Sequence, residues 1–201
     1  MIDEFAKEYL HGDLREAREV IVWKLDGLCE YDVRRPLTPT GTNLLGLVKH
    51  LTRTEAQYFG DVFGRPFQEP VLGHNDGAGQ DADKWVSADE SRAEIIDRYR
   101  RVSAHSDETI TGLPIDALGH VAHWPRPDVK LFNILVHVLA ETNRHAGHLD
   151  ILRETLDGSV GADVATAKYL DRGTGYWEAR YAKVERAAEP FRAACGVPEI
   201  G

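Results

Sequence analysis

The chain has 201 residues, 42% hydrophobic and 28% charged, with a formal net charge of -9 at pH 7. That length and balance suit one domain with a core that needs no staples, and the acidic charge excludes a nucleic-acid binder or a protein held on an anionic membrane, since both need clustered Lys and Arg. Cys29 and Cys195 show no ligand spacing and read as reduced thiols, no signal core opens the chain and no apolar run reaches ~18 residues, so a cytoplasmic protein is expected.

The first predicted helix runs from Asp3 to Tyr31, where Phe5, Tyr9, Leu14, Ala17, Ile21, Leu25 and Leu28 recur at helical intervals. Pro36 and Pro39 end it. Thr42 or Asn43 then caps a second helix that reaches Phe63, with Leu44, Leu47, Val48, Leu51, Tyr58 and Val62 on one face. Residues 64–85 are rich in Gly, Pro, Asp and Asn and read as a long surface loop. Ser87 followed by Glu90 has the capping-box spacing and predicts the start of a third helix, which closes near Leu113.

An irregular stretch, 114–128, carries His120, His123 and Trp124, and no run makes a convincing strand, although the two loops have room for short strand pairs. The fourth helix spans Val129 to Asp157, with Gly158 at the position that favours a left-handed residue. A fifth, more polar helix covers Tyr176 to Ala194, with Tyr176, Trp177, Tyr181 and Val184 as its apolar contacts. The expected fold is all-α: a four-helix bundle over residues 1–158, with long loops between helices 2 and 3 and between helices 3 and 4. Residues 159–201 form a helical extension packed on the same domain.

His137, Glu141, His145 and His148 fall within roughly an 80° stripe of the fourth helix, close to the middle of its apolar face. Buried acids and imidazoles need compensation, and a metal ion supplies it economically. Glu141 and His145 are one turn apart and suit one ion, whereas His137 and His148 lie about 16 Å apart along the axis and cannot share one. His50, beside the apolar face of the second helix, is the best donor of a third ligand. Three such ligands leave an open position, and Zn²⁺, Ni²⁺, Fe²⁺ or Mn²⁺ would accept them. Asn143, Arg144 and Asp150 are candidates to orient the ligands. A metal-free reading also stands, in which Glu141 pairs with Arg144 or Arg153 and the histidines are hydrogen-bonded core residues.

Two segments carry a resemblance. Gly46-Leu47-Val48-Lys49-His50-Leu51 with Glu55 and Phe59, and the run from Glu141 through Arg144, His145, Gly147, His148, Asp150 and Arg153 to Glu154, resemble the DinB-like superfamily. The nearest branch is actinobacterial and similar to the metal-binding bundle of mycothiol-dependent maleylpyruvate isomerase. The resemblance implies a DinB-like bundle whose divalent metal, zinc first, is held by His50, Glu141 and His145. It further implies a low-molecular-weight thiol of the mycothiol type as co-substrate, transfer to a small electrophile or isomerisation, and pairing into a homodimer through helix faces. His148 stands where many members carry Gln and is a candidate orienting residue or proton carrier. His120, His123 and Trp124 are candidates to wall the pocket. Two alternatives are a non-catalytic, stress-related metal-binding bundle and a metal-assisted hydrolase.

Overall fold

Left-handed glycines close two of the helical segments, at Gly64 and Gly158. The computed structural model describes residues 4–71 and 82–192. α1 covers Glu4–Trp23 and the short α2 covers Glu30–Arg34. The single helix expected over Asp3–Tyr31, whose first residue lies outside the described ones, is therefore interrupted. Gly27 takes a φ of +75°, which a right-handed helix cannot contain. The carbonyls freed at this break are taken up by distant side chains. Arg92 Nη1 donates to Leu28 O at 2.8 Å, and Arg153 Nη1 donates to Lys24 O and Asp26 O at 2.9 and 2.8 Å.

Asn43 caps α3, Leu44–Glu55, by accepting from Gly46 N at 2.8 Å. The helix then widens into a π turn, Ala56–Gly60, tightens into a 3-10 turn, Asp61–Phe63, and stops at Gly64 with a φ of +65°. α4 spans Arg92–Gly112 and is capped by Ser91, which accepts from Glu94 N. The Ser87–Glu90 pair does not open this helix as its spacing predicts. Glu90 Oε2 accepts from Ser87 N and Oγ at 2.9 and 3.0 Å, closing a separate turn and leaving the cap to the next serine.

After α4 the chain forms an antiparallel ribbon, β1 Leu118–His120 and β2 Asp128–Lys130, with Gly119 opposite Val129. Strands of three residues are too short to show as alternation in sequence. Gly119 lets the ribbon lie on the 61–63 turn, because a Cβ there would stand 2.7 Å from Val62 Cγ1. α5, Leu131–Asp157, ends at Gly158 (φ +75°) as expected.

α6, Val164–Leu170, and α7, Thr174–Ala188, follow, and a 3-10 turn, Glu189–Phe191, closes the described chain. Tyr176, Trp177, Tyr181 and Val184 are exposed rather than serving as apolar contacts, and α7 buries no side chain. Its apolar stripe is too narrow to draw a polar helix into a core. Ala194 and Cys195 lie outside the described residues.

The molecule is all-α in class. α1 packs on α5, α5 on α3, α3 on α4 and α4 on α1. No helix among the described residues is long and apolar enough to cross a membrane. The interior these helices enclose has two apolar clusters. One gathers Ile21, Leu25, Leu44, Leu51, Tyr99 and Leu149, the other Leu14, Phe59, Ile110, Ile134 and Val138. Between them each long helix contributes a buried polar residue: Arg18, Glu55, Ser106 and Thr142. Arg18 Nε and Nη2 donate to the two oxygens of Glu55 at 2.9 and 2.6 Å. Glu141 and His145 flank Thr142 along α5, so the candidate site lies at the level of this polar layer.

Candidate metal centre

On α5 the one-turn spacing of Glu141 and His145 directs both side chains to the same side, and His145 Nε2 lies 3.0 Å from Glu141 Oε1. On α3, His50 faces them from across the helix pair, with Nε2 3.5 Å from the same oxygen. One ligand atom from each of these three half-buried residues can be chosen so that all lie within 4.8 Å of one another. Two nitrogens and an oxygen held about 2 Å from a tetrahedral ion would be separated by about 3.3 Å, a value that the two distances to Glu141 Oε1 bracket.

The outer nitrogens of both rings are also engaged. His50 Nδ1 is 2.8 Å from Asp83 Oδ2, and His145 Nδ1 is 3.2 Å from His148 Nδ1. Each ring therefore turns Nε2 towards the shared carboxylate oxygen. The donor set fits a divalent ion of the zinc or nickel kind, which accepts imidazole and carboxylate together.

The charge states suit ligands. Burial pushes the Glu141 carboxyl up, but the neighbouring His145 and His50 outweigh it and hold the group below its ordinary value. Burial, with His50 alongside, lowers His145 against the opposing pull of Glu141. An ionised carboxylate and a neutral imidazole are the forms that bind metal.

The profile of the family described as mycothiol-S-transferase matches residues 9–158. The chain belongs to this family. It is a DinB-like family, as the two motif segments led us to expect. The matched stretch contains every residue of the mycothiol-S-transferase candidate site and ends at Gly158, which closes α5. No curated protein matches the chain.

The other candidates divide. His148 is exposed and stands behind His145 with ring centroids 5.2 Å apart. His137 lies one turn before Glu141, wedged between Tyr58 and Trp124 with centroids 4.7 Å from each, and Trp124 Nε1 donates to Tyr58 Oη at 3.2 Å. Burial lowers His137 below its ordinary value, with His123 adding to the effect and Glu141 opposing it. Trp124 thus reaches the end of the stripe, while His120 and His123 stay exposed on the ribbon and His120 pairs with Asp128 at 2.9 Å.

None of the three expected orienting residues reaches the ligands. Asp150 pairs with Lys24 at 2.7 Å, Asn143 donates to Leu139 O, and Arg144 is exposed. Arg153 is committed to Asp157 and to the end of α1, so neither arginine competes for Glu141. Asp83, 6% exposed, is the group that sequence reading missed. It sits in the three-residue 3-10 turn Ala82–Lys84, too short for periodicity to mark a buried position. Burial raises its carboxyl, and the His50 and Arg53 hydrogen bonds bring it below the ordinary value.

Proposed function

We propose that the chain is a metal-dependent mycothiol S-transferase that uses His50, Glu141 and His145 to hold a divalent ion, zinc first. The observation that carries this reading is the convergence of one donor atom from each of the three within 4.8 Å. It sits inside the stretch that matches the mycothiol-S-transferase family.

A divalent ion held there supplies the positive charge that favours the thiolate form of the co-substrate near neutral pH. The residues of this chain perform the remaining tasks. His50 and His145 present neutral Nε2 atoms, and Glu141 supplies negative charge without blocking a fourth position. His148, open to solvent, stands against the outer nitrogen of His145 and steadies that ring, while the proton that leaves the thiol passes to water. Tyr58, Trp124 and His137, the last packed edge to face against the other two, give a small electrophile an aromatic wall beside the triad. The sulfur–carbon bond then forms at the electrophile, whose leaving group departs with the electron pair of the broken bond. Homodimer formation belongs to the same reading: Phe5 and Tyr9 on α1, and Trp177 and Tyr181 on α7, remain exposed in the single chain.

The test is elemental analysis of natively purified protein beside His145→Ala and the ribbon control His120→Ala. We expect near-stoichiometric metal in the parent and in His120→Ala, its loss in His145→Ala, and saturable binding of mycothiol only where metal is retained. Equal metal content in all three would remove the triad from the argument.

A further inference from the structure

Residues 82–90 cross from the long loop to α4 and are fastened to one face of α3. The short 3-10 turn Ala82–Lys84 lies against that helix. Gly46 is the deepest fastening: a Cβ built there would stand 2.1 Å from Lys84 O, so only glycine lets this carbonyl approach. Asn43 Nδ2 reaches the same carbonyl at 3.4 Å. Lys49 Nζ donates to Trp85 O at 3.1 Å and pairs with Glu90 Oε1 at 2.7 Å. Arg34, from α2, donates to Ser87 O and Glu90 O at 3.0 and 2.9 Å. Asn43, Gly46, Lys49, His50 and Arg53 recur at intervals of three and four, so one stripe of α3 receives the whole segment. Asp83 reaches the candidate site through its bonds to His50 Nδ1 and to Arg53 Nη1 at 3.0 Å.

We propose that this segment is a positioning strap: seating Lys84 O on Gly46 places Asp83 over His50, fixes the ring with its proton on Nδ1, and leaves Nε2 bare towards Glu141 and His145. The inference rests on the metal reading above. An acceptor at one ring nitrogen decides which nitrogen carries the proton and how the ring is turned. Without Asp83 the His50 ring is free to carry its proton on Nε2, the atom that must be bare to bind an ion. Gly46 therefore influences the ligand geometry although it touches no ligand atom of the triad.

The experiment compares the parent with Asp83→Ala, Asp83→Asn and Gly46→Ala. Gly12→Ala is the control, since a Cβ at Gly12 meets nothing within 4 Å. Zinc affinity is measured by chelator competition, the His50 tautomer by ¹⁵N NMR of the metal-free proteins, and folding by thermal melts. Asp83→Ala and Gly46→Ala should each weaken zinc by about 10–100-fold and move the His50 proton towards Nε2. Asp83→Asn, whose amide oxygen still accepts from Nδ1, should recover most of the affinity. Lys49→Met, a milder loosening of the strap, should fall between parent and Gly46→Ala, which keeps the comparison meaningful if Gly46→Ala folds poorly.

The strap is overturned if Asp83→Ala keeps the Nδ1 proton, or if Gly46→Ala binds zinc like Gly12→Ala. If the parent binds no zinc, the metal reading falls separately, and the tautomer of His50 in Asp83→Ala still decides the strap.

Discussion

Two side chains outside the triad carry part of the pH dependence. Asp107 accepts from His11 at 2.8 Å and from Arg18; burial pushes its carboxyl up, and these partners bring it below the ordinary 3.8. A carboxylate depressed on folding contributes stability that is present above 3.8 and lost as pH falls through the lower folded value. His137 is depressed from 6.5 mainly by burial, so the fold prefers the neutral ring. Its contribution is complete above pH 6.5 and declines as pH falls below that value. In metal-free protein, urea midpoints should therefore drop first between pH 7.5 and 5.5 and again below about pH 4. His137→Gln should shrink the first step, which His145 shares, and Asp107→Asn should shrink the second, which Asp83 and Glu141 share. A parent midpoint constant from pH 7.5 to 5.5 would contradict the assignment of His137.

Helix ends decide which faces meet. The stop at Gly158 needs a positive φ, and that was legible because glycine after a long periodic run has few other uses. Gly158→Ala has room for its Cβ, so its cost is backbone strain alone: about 1 kcal/mol, or a fall of about 2–4 °C in melting temperature. An unchanged melt would mean that the last turn frays without cost. The break after Trp23 was not legible, although Gly27 lay in plain view. Periodicity continues through Leu25 and Leu28, and only arginines from α4 and α5 make a turn there as well satisfied as a helix. The π turn at Ala56–Gly60 was hidden for the same reason, because it preserves the apolar face while turning Tyr58 towards His137.

Across the whole molecule, the fully buried Arg18–Glu55 pair lies between two apolar clusters. Removing one partner leaves a charge stranded in the core. Arg18→Met should cost about 3–5 kcal/mol, and the double variant Arg18→Met, Glu55→Leu should recover most of it. Thermal melts of the single and double variants measure the coupling. If Arg18→Met and the double variant melt together, the pair is not the keystone of the layer.

The sequence by itself determined the all-α class, the reach of the second helix to Phe63 and the stop of α5 at Gly158, and it nominated His50, Glu141 and His145, which the fold brings close together. These are properties of spacing along helices, and a 3.6-residue period is written locally. Only the tertiary structure decided what stands behind those residues. Asp83 comes from a turn too short for periodicity, Asp150 is drawn away to Lys24, and His148 reaches only the outer nitrogen of His145. Such contacts depend on how separate segments cross, and crossing is set by the sum of packing over many residues rather than by any one interval in the chain.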